Sequence, residues 1–121
     1  MRFAKWVFTI AGIYGFVAVG PLYFMEGAIG RASAPISHPE YFYGFIGVTL
    51  AFQLLFLIIA RDPARLRPAM LASIVEKVSF PAAVWPLFLQ HRAPAPVTVF
   101  ASIDLLWGVL FVASYLRTRE A

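Results

Sequence analysis

Cysteine is absent from this chain, so no disulfide can form and no thiolate can serve as nucleophile or metal ligand. That excludes thiol-disulfide exchange, including the quinone-coupled disulfide oxidoreductases that also use bundles of four helices. Histidine is nearly absent. His38 and His91 stand alone, and neither belongs to a pair at helical spacing that would hold haem or a metal in apolar surroundings. Charge is scarce as well, at 13% of residues against roughly 25% in ordinary soluble chains. No glycine-rich phosphate loop, nucleophile elbow or HExxH sequence occurs, and there is no internal repeat or low-complexity tract.

What is abundant is apolar: 61% of the 121 residues are hydrophobic, and the mean hydropathy is +0.79. This is the composition of a membrane protein. Trp6 to Met25 and Tyr41 to Ala60 hold no charged residue and are long enough, at about 1.5 Å per residue, to cross a hydrocarbon core of roughly 30 Å. Two further stretches, about Ala69 to Gln90 and Pro96 to Leu116, have the same length but carry Glu76 with Lys77 and Asp104 inside them. Backbone in lipid must satisfy its own hydrogen bonds, and the chain lacks the short alternating segments of a barrel. The expectation is an all-α integral membrane four-helix bundle forming one domain over residues 1–121, with helices at about 3–20, 41–60, 69–90 and 96–116.

Arg2 and Lys5, the apolar run from Trp6 to Val19, and Ala32-Ser33-Ala34 together imitate a secretory signal. About fourteen residues, Glu26 and Arg31 among them, separate that run from Ala34, whereas a cleavage site follows its apolar region closely. The segment is therefore expected to stay as a first helix. With the N-terminus inside, Arg2, Lys5, Arg61, Arg65, Arg67, Arg117 and Arg119 lie in the cytoplasm and only Arg31 and Arg92 outside. Basic residues are retained on the cytoplasmic side, so both termini are expected there. The same placement accounts for the net charge of +4. Basic residues at helix ends meet anionic lipid, and no basic stripe interleaved with aromatics points to nucleic acid.

Short connections, "RDPARLRP" at 61–68 and "HRAPAP" at 91–96, close helices with charge and proline and make the third and fourth spans antiparallel neighbours. The longer connection, Gly20 to Pro39, mixes Tyr23, Phe24, Met25, Ile29 and Ile36 with Gly, Ser and Pro, which suits a segment lying in the interface. A metal site from its Glu26, His38 and Glu40 is conceivable, but His38-Pro39-Glu40 is too local a signal, and these read as solvated loop residues.

The polar groups within the spans remain. Counted along the helices, Gln53 and Glu76 lie about 12 Å from the inner surface and Asp104 about 12 Å from the outer one, leaving roughly 6 Å of vertical separation. Gln53, Glu76, Lys77 and Asp104 thus share the middle of the membrane. Small residues flank them at helical spacing: Ala72, Ser73, Ser79 and Ala83 around Glu76, and Ala101 and Gly108 around Asp104. Ala11, Gly12 and Gly15 in the first span, with Gly44 and Gly47 in the second, offer further close approaches. An isolated charge at a helix centre costs roughly 2.5–3.5 kcal/mol, so Lys77 is expected to pair with Glu76 or Asp104. Two roles fit such a cluster equally: a network that fixes helix register, and a ligand or proton site. Pro81 and Pro86 each remove a backbone donor, and the resulting kink would open the bundle near Trp85, Phe88 and Trp107, an aromatic pocket for an apolar molecule. The alternative is that these rings pack or sit in the interfacial belt.

The stretch "YFYGFIGVTLAFQLLFLIIARDPARLRP", then "EK" in the third span and "DLLWGVLFVASYLR" in the fourth, resembles small bacterial membrane proteins of the DoxX-like group over Tyr41 to Arg117. The resemblance rests on hydropathy layout, and no functional residue is carried over from it. It implies a multi-pass protein of the bacterial inner membrane, acting as an accessory subunit or linked to quinones. The small multidrug transporters share length and helix count, but their signature acid lies in the first span, which here has none. The emopamil-binding isomerase-like proteins use intramembrane acids in a pattern that Gln53, Glu76 and Asp104 do not reproduce.

Three functions follow as expectations. One is a non-catalytic accessory subunit or binder of a lipid or quinone, with partners among membrane lipids, a larger membrane complex or further copies of itself. Another is a proton-coupled carrier working as an oligomer. The third is an acid-base enzyme acting on an apolar substrate, with one carboxyl protonated and the other ionised. Gln53, Glu76, Lys77, Asp104, Trp107 and Trp85 are the candidate site residues for all three.

Overall fold

A computed structural model describes residues 2–32 and 36–118. Ser33 and Ala34 of the signal-like motif, and Arg119 of the charge count, lie outside the described residues. The only regular structure among the described residues is helical: α1 (Arg2–Val19), a 3-10 segment (Gly20–Phe24), a short α2 (Glu26–Ala32), α3 (Pro39–Arg61), α4 (Ala69–Leu89) and α5 (Ala95–Arg117). Four of these, α1 with its 3-10 extension, α3, α4 and α5, are long and apolar enough to cross a membrane.

Each long helix buries one stripe and leaves other apolar residues outward. In α1 the buried positions are Ala4, Val7, Phe8, Ala11, Gly12 and Gly15, a spacing of three and four that keeps them on one face. Trp6, Ile10, Ile13 and Val17 point outward. A soluble bundle would place charge there, and an apolar exterior is what lipid requires.

The helices pack as two close pairs, α1 with α3 and α4 with α5, joined along α1 and α5, while α3 and α4 meet only sparingly. Glycine makes both pairs close. A Cβ on Gly12 would stand 2.7 Å from the Leu57 side chain and 3.0 Å from the Gln53 carbonyl, and one on Gly108 would stand 3.5 Å from the Lys77 Cβ. Gly44, grouped with these in the sequence, has nothing within 4 Å and mediates no packing.

The core occupies one half of the bundle. Phe8 stacks on Phe111 at 4.3 Å between ring centroids, and Phe56 meets both edge-on at 6.0 and 4.9 Å. Ala4, Val7, Ala11, Ile59, Ala60 and Met70 close around the three rings. Edge-to-face and offset contacts of this kind add about 0.5–1.5 kcal/mol per pair beyond simple burial. At that end Arg67 Nε donates to the Tyr115 carbonyl at 2.9 Å, and the Arg117 guanidinium lies 4.3 Å over the Phe3 ring.

At the opposite end the connections are more open. α4 runs unbroken through Pro81 and Pro86 to Leu89, and just beyond its cap His91 has a left-handed φ of 59°. The amide of Arg92 returns to the Leu87 carbonyl at 2.7 Å and that of His91 to Phe88 at 3.0 Å, a helix-ending motif usually built on glycine. No residue of α2 is buried, and Phe24 beside it is 91% exposed.

Candidate functional site

Where α3 and α4 diverge, the bundle holds a cavity of about 980 Å³. Each helix contributes one face at spacings of three and four: Tyr14, Ala18 and Leu22 from the first, Phe45, Thr49 and Phe52 from α3, Ala72, Val75, Ser79 and Ala83 from α4, and Val97 and Phe100 from α5. The walls are apolar. The polar groups gather at Gln53, Glu76, Lys77 and Asp104, so the structure brings all four together on one cavity.

Lys77 is the hub. It is 3% exposed, and its ammonium lies 3.4 Å from Asp104 Oδ1 and 3.6 Å from Glu76 Oε2. The sequence leads one to expect a single partner, and the geometry supplies both, because Gly108 lets α5 come close to the stem of Lys77. The ammonium also stands 5.3 Å from the centre of the Phe56 ring, within the range of a cation-π contact. The cluster therefore sits at the boundary between the packed aromatic half and the open half.

Gln53 is fully buried and lies directly over Gly15, where any side chain would overlap its amide. Its Nε2 donates to the Thr49 carbonyl at 2.9 Å. Its Oε1 has no hydrogen-bond partner, and neither has Glu76 Oε2. Buried acceptors without donors are rare, since each costs about 1–3 kcal/mol of desolvation.

The small residues around Glu76 divide between two tasks. Ser73 is buried and its hydroxyl returns to the Ala69 carbonyl. Ala72, Ser79 and Ala83 instead line the cavity, so they make room rather than allow helix contact. On α5, Ala101 is buried and Gly108 faces Lys77 and Val78, as close packing requires.

Trp85 and Trp107 do not line the cavity. Trp107 packs beside Phe111 and Tyr14, at 6.4 and 6.1 Å between ring centroids, and Trp85 is partly exposed against the edge of Phe88. The aromatic wall comes from Tyr14, Phe45, Phe52, Phe80 and Phe100 instead. Those residues share a helical face with Gln53, Glu76 or Asp104, or stand opposite one. That spacing was available in the sequence as a signal, once the polar residues are taken to mark the inward faces.

Glu26, His38 and Glu40 are occupied locally. Tyr43 donates to Glu26 at 3.0 Å, and His38 contacts Glu40 at 3.1 Å while stacking on Tyr41. Among the described residues, no three His, Asp or Glu side chains converge as a metal site would need. Compared with known proteins, the chain matches no family model, no curated protein and no solved structure.

Proposed function

We propose that this chain is a small multi-pass protein of the bacterial inner membrane that binds a lipid-like molecule without transforming it, as an accessory subunit of a larger membrane assembly or as a homo-oligomer. The observation that carries this is the cavity of about 980 Å³ between α3 and α4, largely apolar along its walls, with its charged and amide groups gathered at Gln53, Glu76, Lys77 and Asp104. Its volume is at the upper end of small-molecule sites. The sparing contact between α3 and α4 gives a lipid tail or quinone a lateral way in.

The topology in this reading has both termini in the cytoplasm. Arg2, Lys5, Arg61, Arg65, Arg67 and Arg117 support it, since they fall at the helix ends that the positive-inside rule would keep there. The hydropathy layout of Tyr41 to Arg117, which resembles that of DoxX-like proteins, fits the same class.

A second reading, acid-base chemistry on an apolar substrate, draws on the two carboxylates that border the cavity. Against it, both share Lys77, which leaves neither as a free base.

The test is retention of an apolar probe by the purified chain in detergent, counted by native mass spectrometry with hexadecanol. Bound probe in the native chain and none in Ala83→Trp, which fills the cavity from α4, is the expected result. Equal retention by both chains would remove the cavity from the explanation.

A further inference from the structure

The cavity is one-sided in its hydrogen-bonding chemistry, and that narrows what it can hold. Its amide, ammonium and Ser79 donors are each engaged: Gln53 Nε2 on the Thr49 carbonyl, the Ser79 hydroxyl on the Glu76 carbonyl, and the Lys77 ammonium on Asp104 Oδ1, beside Glu76. Its acceptors are not. Gln53 Oε1 has no hydrogen-bond partner, Glu76 Oε2 meets only the Lys77 ammonium at 3.6 Å, and Glu76 and Asp104 each keep a second oxygen beyond the one nearest Lys77. The Tyr14 and Thr49 hydroxyls on the same wall can turn either way.

Charge leans in the same direction. With both carboxylates ionised, Glu76, Lys77 and Asp104 sum to one net negative charge, from two anions and one cation. A carboxylate or phosphate head would bring like charge to a site with largely apolar walls, which is costly.

We infer that the ligand of this cavity is an apolar molecule whose buried end donates hydrogen bonds, a hydroxyl or a primary ammonium, seated between Gln53 of α3 and Glu76 of α4 with its tail along the phenylalanine wall. Gln53 and Glu76 both line the cavity, and Gln53 Oε1 and Glu76 Oε2 are buried without a hydrogen bond. The terminal torsions of Gln and Glu are soft, so a small rotation presents both to a donor. A quinone, whose carbonyls only accept, fits this head site poorly, and its reduced quinol form fits well. The inference rests on the cavity being a binding site, as proposed above.

Four probes with one common tail separate the contributions in the native mass spectrometry assay: hexadecanol donates, hexadecylamine donates and carries charge, hexadecyltrimethylammonium carries charge without donating, and methyl hexadecanoate does neither. The alcohol and the amine are each expected to bind roughly tenfold tighter than the ester, the usual value of one satisfied hydrogen bond. An amine ahead of the alcohol marks the added charge as helpful, and parity marks donation alone; both support the inference. Gln53→Leu, and separately Glu76→Gln, should each reduce the advantage of the alcohol over the ester. If all four probes bind alike and Ala83→Trp abolishes them, the cavity reading stands and the head-group inference falls. A quaternary ammonium that matches the amine overturns it too. Binding of none of the four overturns both.

Discussion

Replacing Lys77 with Met isolates what the ion cluster contributes. Methionine keeps most of the volume of the lysine stem, so the packing of Gly108 against this position is preserved and the loss is mainly electrostatic. Removing one member of a buried ion pair typically costs about 3–5 kcal/mol, because it leaves uncompensated charge behind. Here two carboxylates lose their partner, but their side chains remain 14% and 22% exposed toward the cavity. They can take up water or a proton there, which places the expected cost near the lower end, about 3 kcal/mol. The contact with the Phe56 ring, lost as well, contributes about 1 kcal/mol or less at 5.3 Å. Unfolding by a rising fraction of sodium dodecyl sulfate in neutral micelles, followed by circular dichroism, reads this difference. The companion chain Glu76→Gln/Lys77→Met/Asp104→Asn removes every charge at once and should recover most of the loss. A single variant within about 0.5 kcal/mol of the native chain, or a neutral triple variant no better than the single, would refute the assignment of Lys77 as the hub.

Glycine supplies a paired expectation. Gly12→Ala drives a methyl group into Leu57 and the Gln53 carbonyl and should cost about 1–3 kcal/mol by overpacking α1 against α3. Gly44→Ala meets open space and should stabilise by about 0.5–1 kcal/mol through reduced backbone entropy in the unfolded chain, both read in the same micelle titration. The absence of cysteine makes topology directly measurable. A single cysteine at Arg65 should be shielded from a membrane-impermeant maleimide added outside intact cells, and one at Phe24 should react; the reverse pattern would invert the proposed orientation.

Most of the fold was legible because lipid imposes so few solutions. The four long helices fall within about two residues of the hydropathy boundaries, and helix ends are the least certain part of any such reading. The cluster was legible for a similar reason. Counting rise per residue placed Gln53 and Glu76 at one depth and Asp104 within roughly 6 Å of it, since in a bundle of antiparallel helices rise is nearly a coordinate. What rise does not give is azimuth over a whole helix. Trp85 and Trp107 stand at suitable heights yet turn away from the cavity, and Ala72, Ser79 and Ala83 turn toward it instead of toward a neighbouring helix. Nor does depth reveal that α3 and α4 would be the loose seam. That outcome depends on where glycine allows contact, at Gly12 between α1 and α3 and at Gly108 between α4 and α5.

The adjacency of Glu76 and Lys77 has a consequence for biogenesis. If the chain enters the bilayer one helix after another, α4 must cross before Asp104 has been delivered. It carries its own counter-ion in the next residue, so it can cross as a neutral segment. α5 then brings a lone acid, and the Lys77 ammonium is already waiting for it one short turn away. The second half of the protein thus inserts in an order that its sequence makes electrostatically self-sufficient at the first step and dependent on the first at the second.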